Sequence, residues 1–308
     1  MDTHALKIIK IERYILAIAM TVVMFLIAQI SGQKEIIFPE VLAIMTGAWI
    51  AKRQPWNVNK KRIFILTCLA SIIGVAIVRY IHLDLFFQVA ICFVLVGISL
   101  LLLRTNFIPI ISACILPVYM GTTSWIYSVS VSIMALIIII GQWLMEKYHM
   151  RSINHFSAEE FDIKKETKWW LKLFLIFGII SVIPIESRNI FFLAPPLIVT
   201  FVEFANPKSP LRQKPLEIFE ILVFASVIGT MLRILLNTYL DCPLVICAIF
   251  ACIFLFIAFD YSRITFPPAG AILLLPMILR AEDLKLFPLE VIVGTMIIIP
   301  LSMFLFKK

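Results

Sequence analysis

The chain has 308 residues, of which 62% are hydrophobic and 15% are charged. Soluble domains average about 45–50% apolar and about 25% charged residues, so this composition excludes a soluble globular domain and a disordered chain. Because a helix needs about 20 residues to span a bilayer, the length leaves room for roughly ten to thirteen spans and for no separate soluble catalytic domain. Runs such as 129–140, which are apolar except for Ser130 and Ser132, also exclude a transmembrane barrel, whose strands alternate apolar and polar residues throughout. We therefore expect an all-α polytopic transmembrane protein.

Apolar windows predict twelve membrane segments along the chain. They lie at 13–31, 35–51, 63–81, 85–103, 106–121, 124–145, 169–185, 190–205, 216–236, 243–259, 266–279 and 286–306. The windows 106–121 and 266–279 are short and contain proline, so each is read either as a full span or as a broken, half-length helix.

The distribution of basic residues predicts the topology. The formal net charge is +8, and most of the 27 lysines and arginines fall in loops on one side if all twelve segments cross. Positively charged loops mark the cytoplasmic side. We expect both termini in the cytoplasm, integration into the plasma membrane, contact with the lipid bilayer and no binding of nucleic acid.

The order of landmarks indicates an internal duplication. Arg104, Phe107, Pro109 and Pro117 recur at an offset of 159 as Arg263, Phe266, Pro268 and Pro276, while Pro39 pairs with Pro195 and Gly74 with Gly229 at offsets of 155–156. The fold prediction is two pseudo-symmetric six-segment repeats, related by an axis along the membrane normal. The predicted boundaries are a first repeat at 1–145, a cytoplasmic linker at 146–168 and a second repeat at 169–308.

The stretch from Arg263 to Ala271 is the most distinctive motif. Thr265 is expected to cap a helix whose first residues are prolines. The small Ala269 and Gly270 would let a substrate approach, and the positive end of the helix dipole, with Arg263 beside it, favours an anion. The alternative is an interfacial helix start at which Gly270 packs against a neighbouring helix.

These residues resemble a known family. The segment 261–276, centred on Phe-Pro-Pro-Ala-Gly-Ala, is similar to the signature of the HPP family of integral membrane proteins, and 194–196 and 206–211 resemble that family's other landmarks. The similarity covers about 190–305, and the first half resembles the family only as a diverged copy. Phe266 stands where the family has its defining histidine. The resemblance implies a polytopic protein acting in transport, with nitrite movement proposed for plant members.

Charged residues in the apolar segments are the other candidates. Arg79 and Arg233 lie near the predicted outer ends of the third and ninth segments, four or five residues after the paired glycines. They read either as a pair of cations that attracts an anion or as side chains that reach the lipid headgroups. For Glu40 and Glu203, we favour salt-bridge or capping roles, with proton or cation coupling as the alternative.

The sequence thus predicts a membrane transporter or channel for a small solute, a nitrite-like or carboxylate anion, bound between the two repeats at interrupted helices. The candidate substrate-binding residues are Arg79, Arg104, Arg233, Arg263, Thr265, Ala269 and Gly270. No catalytic residue, metal site or cofactor is expected, and a homo-oligomer is left open. The alternative is a non-transporting scaffold or receptor subunit, which predicts well-packed halves without a polar cavity.

Overall fold

A computed structural model describes residues 3–154, 156 and 163–307. Within these residues all regular structure is helical and there is no strand, which confirms the all-α prediction. The helices are α1 (Thr3–Ser31), α2 (Glu40–Met45), α3 (Lys60–Tyr80), α4 (Leu85–Leu102), α5 (Ile110–Met120), α6 (Ile126–Lys147), α7 (Ile163–Glu186), α8 (Pro195–Ala205), α9 (Pro215–Leu232), α10 (Leu244–Ser262), α11 (Pro267–Leu274), α12 (Ala281–Leu284) and α13 (Phe287–Leu305).

Eight of these helices are long and apolar enough to cross a membrane. They are α1, α3, α4, α6, α7, α9 (extended by a π-helix, Arg233–Tyr239), α10 and α13. The chain is therefore an integral membrane protein by the length and composition of its helices.

Four further helices are about half as long as a span. α5 and α8 each have 11 residues. α2 and α11 reach a similar length with the π-helix Thr46–Ile50 and the 3₁₀ turn Leu275–Met277 that continue them. A helix of this length measures about 16 Å, roughly half of the hydrocarbon core. Irregular or 3₁₀ segments, such as Ile190–Leu193 before α8, lead into these helices.

The short helices begin where proline interrupts an apolar run. Proline lacks an N–H group and disfavours helical geometry in the residue before it, so a helix starts at the proline instead of running through it. The windows 106–121 and 266–279 are thus half-length helices, one of their two predicted readings. The windows 35–51 and 190–205, predicted as ordinary segments, also contain only half-length helices, because Pro39 and Pro195 set their starts.

Matching contacts occur within the two halves of the chain. α3 packs against α5 and α6, and α9 packs in the same way against α11 and α13. A Cβ added to Gly74 would lie 2.2 Å from the main-chain oxygen of Cys114, and one added to Gly229 would lie 2.2 Å from that of Leu273. Such pairs are what a duplication predicts, and the two-repeat interpretation stays a prediction.

The two halves interlock through four helix pairs. α2 contacts α11, α5 contacts α8, α1 contacts α10 and α4 contacts α7. In the last pair, the ring of Trp170 lies so close to Gly97 that an added Cβ would be 2.9 Å from it. Nearly every residue of the four short helices is buried, so the core of the molecule lies where these helices meet.

Both ends of the described chain reach the same face of the helical bundle. The guanidinium of Arg13 in α1 donates to the main-chain oxygen of Ile50, and Lys307 lines the same cavity as Lys208 and Asn57. The predicted linker, 146–168, begins on this face in the last residues of α6, which ends at Lys147. Its residues 155 and 157–162 lie outside the described residues, whereas Arg151 is buried against the end of the π-helix that follows α2.

Candidate functional site

A small void lies at the centre of the molecule, bounded by the first turns of all four short helices. Its lining residues are Glu40 and Ala43 of α2, Pro109 and Ser112 at the start of α5, Pro196 and Val199 of α8, and Pro268 and Ala271 of α11. The void measures about 10 Å³, which is about the minimum space for one water molecule.

The helices lead away from this void in two opposite directions. α2 and α8 run toward the face that carries both chain ends, and the residues after α8 line a cavity there. α5 and α11 run toward the other face, where Met120 and Ile278 line a second cavity. Because all four helices start at the void, their positive dipole ends converge on it.

The helix starts have few free backbone N–H groups, because some residues are prolines and the amides that follow them already donate to backbone oxygens. Pro267 and Pro268 have no N–H, and the first available amide, that of Ala269, donates to the oxygen of Phe266 at 3.1 Å. In α8 the amide of Leu197 likewise donates to the oxygen of Ala194 at 2.7 Å. The helix starts therefore contribute a positive electrostatic potential to the void, but few free hydrogen-bond donors.

Glu40 is the ionisable residue that lines the void. Its side chain is 1% exposed, its Oε1 accepts a hydrogen bond from the hydroxyl of Ser112, and its Oε2 has no partner. Among the described residues no basic side chain forms an ion pair with it. The expected salt bridge for Glu40 is thus wrong, because the half-length α2 places its first residue in the interior and away from the basic loops.

Glu203 lies elsewhere, near the end of α8. It forms a hydrogen bond with the side chain of Trp56, a residue of the first half. This bond joins the loop before α3 to the end of α8. It does not bring Glu203 to the central void.

A basic vestibule opens on the face that carries the chain ends, with a volume of about 590 Å³. Its charged lining residues are Arg104, Lys165, Lys208 and Lys307, with Glu166 as the acidic one. Trp169 and Trp170 form part of its apolar wall. Ile108 lines this vestibule, and the next residue, Pro109, lines the central void.

A second, mixed vestibule of about 440 Å³ opens on the opposite face. Its charged lining residues are Lys34, Glu35, Arg280 and Asp283, so its formal charges balance. Leu116, which lines it, lies one helical turn beyond Ser112 of the void. Along α5, the lining of the void is therefore one residue from the lining of the basic vestibule. It is about one helical turn from the lining of the mixed vestibule.

The arginines predicted as binding residues do not converge. Arg104 lines the basic vestibule. Arg263, at the corresponding place in the second half, is exposed, and both residues have left-handed backbone, with φ of 47° and 56°. Arg79 is exposed and donates to the oxygen of Thr123 at 3.2 Å, while Arg233 is half-buried near Cys247. Neither Arg79 nor Arg233 lines a vestibule.

Pro268 and Ala271 of the motif line the void, but the predicted binding residues Thr265, Ala269 and Gly270 do not. Thr265 does not cap the helix: it lies one residue before the N-cap, which is Phe266, and the side chain of Phe266 has no hydrogen-bond acceptor. Ala269 is buried. A Cβ on Gly270 would be 3.0 Å from Cγ of Leu42 and 3.1 Å from the amide nitrogen of Ala43, so Gly270 packs against α2 as in the alternative reading.

Among the described residues, no group of three or more His, Cys, Asp or Glu side chains is arranged to hold a metal ion. The polar groups that the structure does bring together are the carboxyl of Glu40 and the hydroxyl of Ser112. The sequence signal for both groups is a proline at the start of a short apolar helix. Pro39 and Pro109 provide it here, as Pro267 and Pro268 do in the HPP-like motif.

Comparison with known proteins agrees with the architecture. No curated protein and no solved structure matches the chain. The family model described as "HPP, transmembrane region" matches residues 159–307, which include α7 to α13, Phe266 and the proline-led start of α11. The second half of this chain is therefore similar to the transmembrane region of the HPP family.

Proposed function

We propose that the protein is a secondary transporter for a small anion, with a route that leads from the basic vestibule through the central void to the mixed vestibule. The observation that carries this proposal is the convergence of four half-length helices on one buried void between two vestibules on opposite faces. Interrupted helices at a repeat interface are a common way to build a substrate site within a membrane.

The charges along the route favour an anion. Four basic residues against one acidic residue line the basic vestibule, which raises the local concentration of anions. At the void, four helix dipoles direct their positive ends inward. Ser112 supplies a hydroxyl that donates a hydrogen bond to a carboxyl oxygen and has the chemistry to donate one to an anion.

The size of the void favours a carrier over an open channel. At about 10 Å³ it does not hold even a nitrite ion, so a substrate enters only when neighbouring helices move apart. A conformational step between inward-open and outward-open states is typical of secondary transporters. We infer that this structure corresponds to a closed state. A scaffold has no need of two vestibules that meet at one void.

The orientation is part of the proposal. The face of the basic vestibule carries Arg13, Lys60, Arg151 and Arg212, whereas the face of the mixed vestibule is less basic. By the positive-inside rule the basic vestibule faces the cytoplasm and both termini lie there, in the plasma membrane.

Flux of radiolabelled nitrite and formate into proteoliposomes tests the proposed function. The test variant is Ala43→Leu, which fills the void, and the matched control is Ala258→Leu on the long helix α10, away from the void. We expect at least tenfold slower uptake for Ala43→Leu and near-normal uptake for the control, provided that both variants remain monodisperse. Equal flux through both variants, or none through the parent protein in any exchange mode, would overturn the proposed route.

A further inference from the structure

We propose that Glu40 is the proton-binding group of the transporter and couples the movement of one proton to that of one anion. This inference rests on the proposed function and adds to it the driving ion. The proton binds to Oε2 of Glu40, the oxygen that lacks a partner. Transport of the neutral pair, anion plus proton, then releases both on the other side, and the carboxyl returns to its starting state.

The surroundings of Glu40 support a group that changes its charge. Its side chain is 1% exposed and faces the void, and one oxygen is left without a donor although the other accepts from Ser112. A carboxylate that is permanently ionised in such a place requires a cation or several donors. A protonated carboxyl requires neither, and its O–H can donate to a substrate in the void.

The groups that face Glu40 from the neighbouring helices do not replace that cation. α6 contributes the hydroxyl of Tyr127, which donates to the oxygen of Ala113 at 2.8 Å. α5 and α4 contribute the thiols of Cys114 and Cys92, which lie near Tyr127. The void-lining residues of α8 and α11 are two prolines, a valine and an alanine, and α1 contributes the sulfur of Met24, which accepts from the amide of Phe38.

Charge explains why proton and anion must travel together. An anion that enters the void lies beside the carboxyl of Glu40, and two like charges at such a distance in a poorly solvated space repel each other strongly. Binding of the anion therefore favours protonated Glu40. In the same way, protonation of Glu40 favours binding of the anion, because coupling between two sites is reciprocal.

One carboxyl predicts one proton per cycle. At the matching start of α8, Pro196 lines the void where the first half has Glu40. Among the described residues that line the void, Glu40 is the ionisable one. A stoichiometry of two protons per anion has no second carrier in this site.

Infrared difference spectroscopy tests the protonation state without any transport. The purified parent protein and Glu40→Gln are compared across a pH series. We expect a carboxylic-acid carbonyl band in the parent at neutral pH that is missing from Glu40→Gln and shrinks when the pH is raised or nitrite is removed. A parent spectrum in which Glu40 is ionised at neutral pH, with and without nitrite, would contradict the inference.

Proteoliposomes with an imposed pH gradient test the coupling. The probes are nitrite and nitrate. Nitrate is fully ionised near neutral pH, so it does not cross the membrane as a neutral acid. Protein-free vesicles measure how much nitrite enters by diffusion of nitrous acid through the lipid. We expect a gradient to drive uptake by the parent and Glu40→Asp to retain part of the response. The ratio of gradient-driven uptake to anion exchange, measured on the same vesicles, should fall at least tenfold in Glu40→Gln.

The matched control is Glu290→Gln, which alters another buried carboxyl with an unpartnered Oε2 that lies in α13 and does not line the void. It is expected to respond to the gradient like the parent. Exchange without a pH response in the parent, or an equal loss in both Gln variants, overturns the coupling while the transporter proposal stands. Absence of exchange in the parent overturns the proposed function, and the coupling with it.

Discussion

Gly74 and Cys114 bring two helices together backbone to backbone. A Cβ on Gly74 would lie 2.2 Å from the main-chain oxygen of Cys114 and 2.6 Å from Cγ of Pro117. α3 and α5 therefore approach more closely than any residue larger than glycine permits. Close packing of this kind is typical of helix association in membranes, where small residues allow van der Waals contact over a long interface.

We expect Gly74→Ala to lower the free energy of unfolding by about 1–3 kcal/mol, because the added methyl group forces α5 away from α3. Gly229→Ala should have a similar effect through the carbonyl of Leu273. Thermal unfolding of the purified protein in detergent measures both variants. The control is Gly178→Ala, where an added Cβ meets nothing within 4 Å. Stability unchanged in the two test variants would contradict the packing described for these helices.

Arg151 closes the end of the π-helix that follows α2. Its guanidinium is buried and donates to the oxygen of Ala51 at 2.9 Å and to that of Gly47 at 3.1 Å. We expect Arg151→Gln to lower the free energy of unfolding by about 1.5–3 kcal/mol, since hydrogen bonds to a charged group and the favourable helix-end charge are both lost. Arg53→Gln, an exposed change in the same region, should leave stability within about 0.5 kcal/mol.

Lys60 and Glu146 form an ion pair between α3 and α6, in which Glu146 has 6% of its side chain exposed and Lys60 has 31%. Gln142 also donates to Glu146, at 3.0 Å. We expect Lys60→Met to destabilise the protein by less than the about 3–5 kcal/mol seen for fully buried pairs, because solvent reaches the lysine. In a double-mutant cycle, Glu146→Gln should recover much of that loss when combined with Lys60→Met. Additive single effects would show that the pair carries no coupling.

The orientation predicts which side of a cell labels each face. Lys52→Cys lies on the face of the basic vestibule and Arg280→Cys lines the mixed vestibule. With the partly exposed Cys68 and Cys242 changed to serine, an impermeant maleimide should label Arg280→Cys in intact cells and Lys52→Cys only after permeabilisation. The reverse pattern would invert the topology and with it the assignment of the cytoplasmic vestibule.

The length of the apolar runs is enough to predict the long helices, because a run of about 20 apolar residues has few stable alternatives to a helix in a bilayer. Proline within a short window also indicated the half-length α5 and α11, but only as one of two readings. The same break in 35–51 and 190–205 was missed, since these windows are long enough for a span and hydropathy does not distinguish a helix from an extended lead-in. Pro39 and Pro195 carried that signal.

The site was harder to predict than the fold. Paired positions drew attention to Arg79 and Arg233, but the sequence does not say which way a side chain points at the end of a helix. For Glu40 the sequence allows a salt-bridge, a capping or a proton-coupling role and does not distinguish among them. The position of Glu40 in the interior depends on α2 starting at mid-depth, which is a tertiary property of four helices and of contacts between distant parts of the chain.

The interlocking of the halves has a consequence for biosynthesis. α2 and α5 are covered by α11 and α8, which a ribosome begins to make at least 75 residues later. Until then, two half-length helices and the carboxyl of Glu40 belong to a nascent chain whose partners have not yet been synthesised. The prolines at the starts of these helices have no N–H group. The incomplete chain therefore exposes fewer unpaired donors to lipid. The insertion machinery must therefore shelter α2 and α5 until the second half emerges.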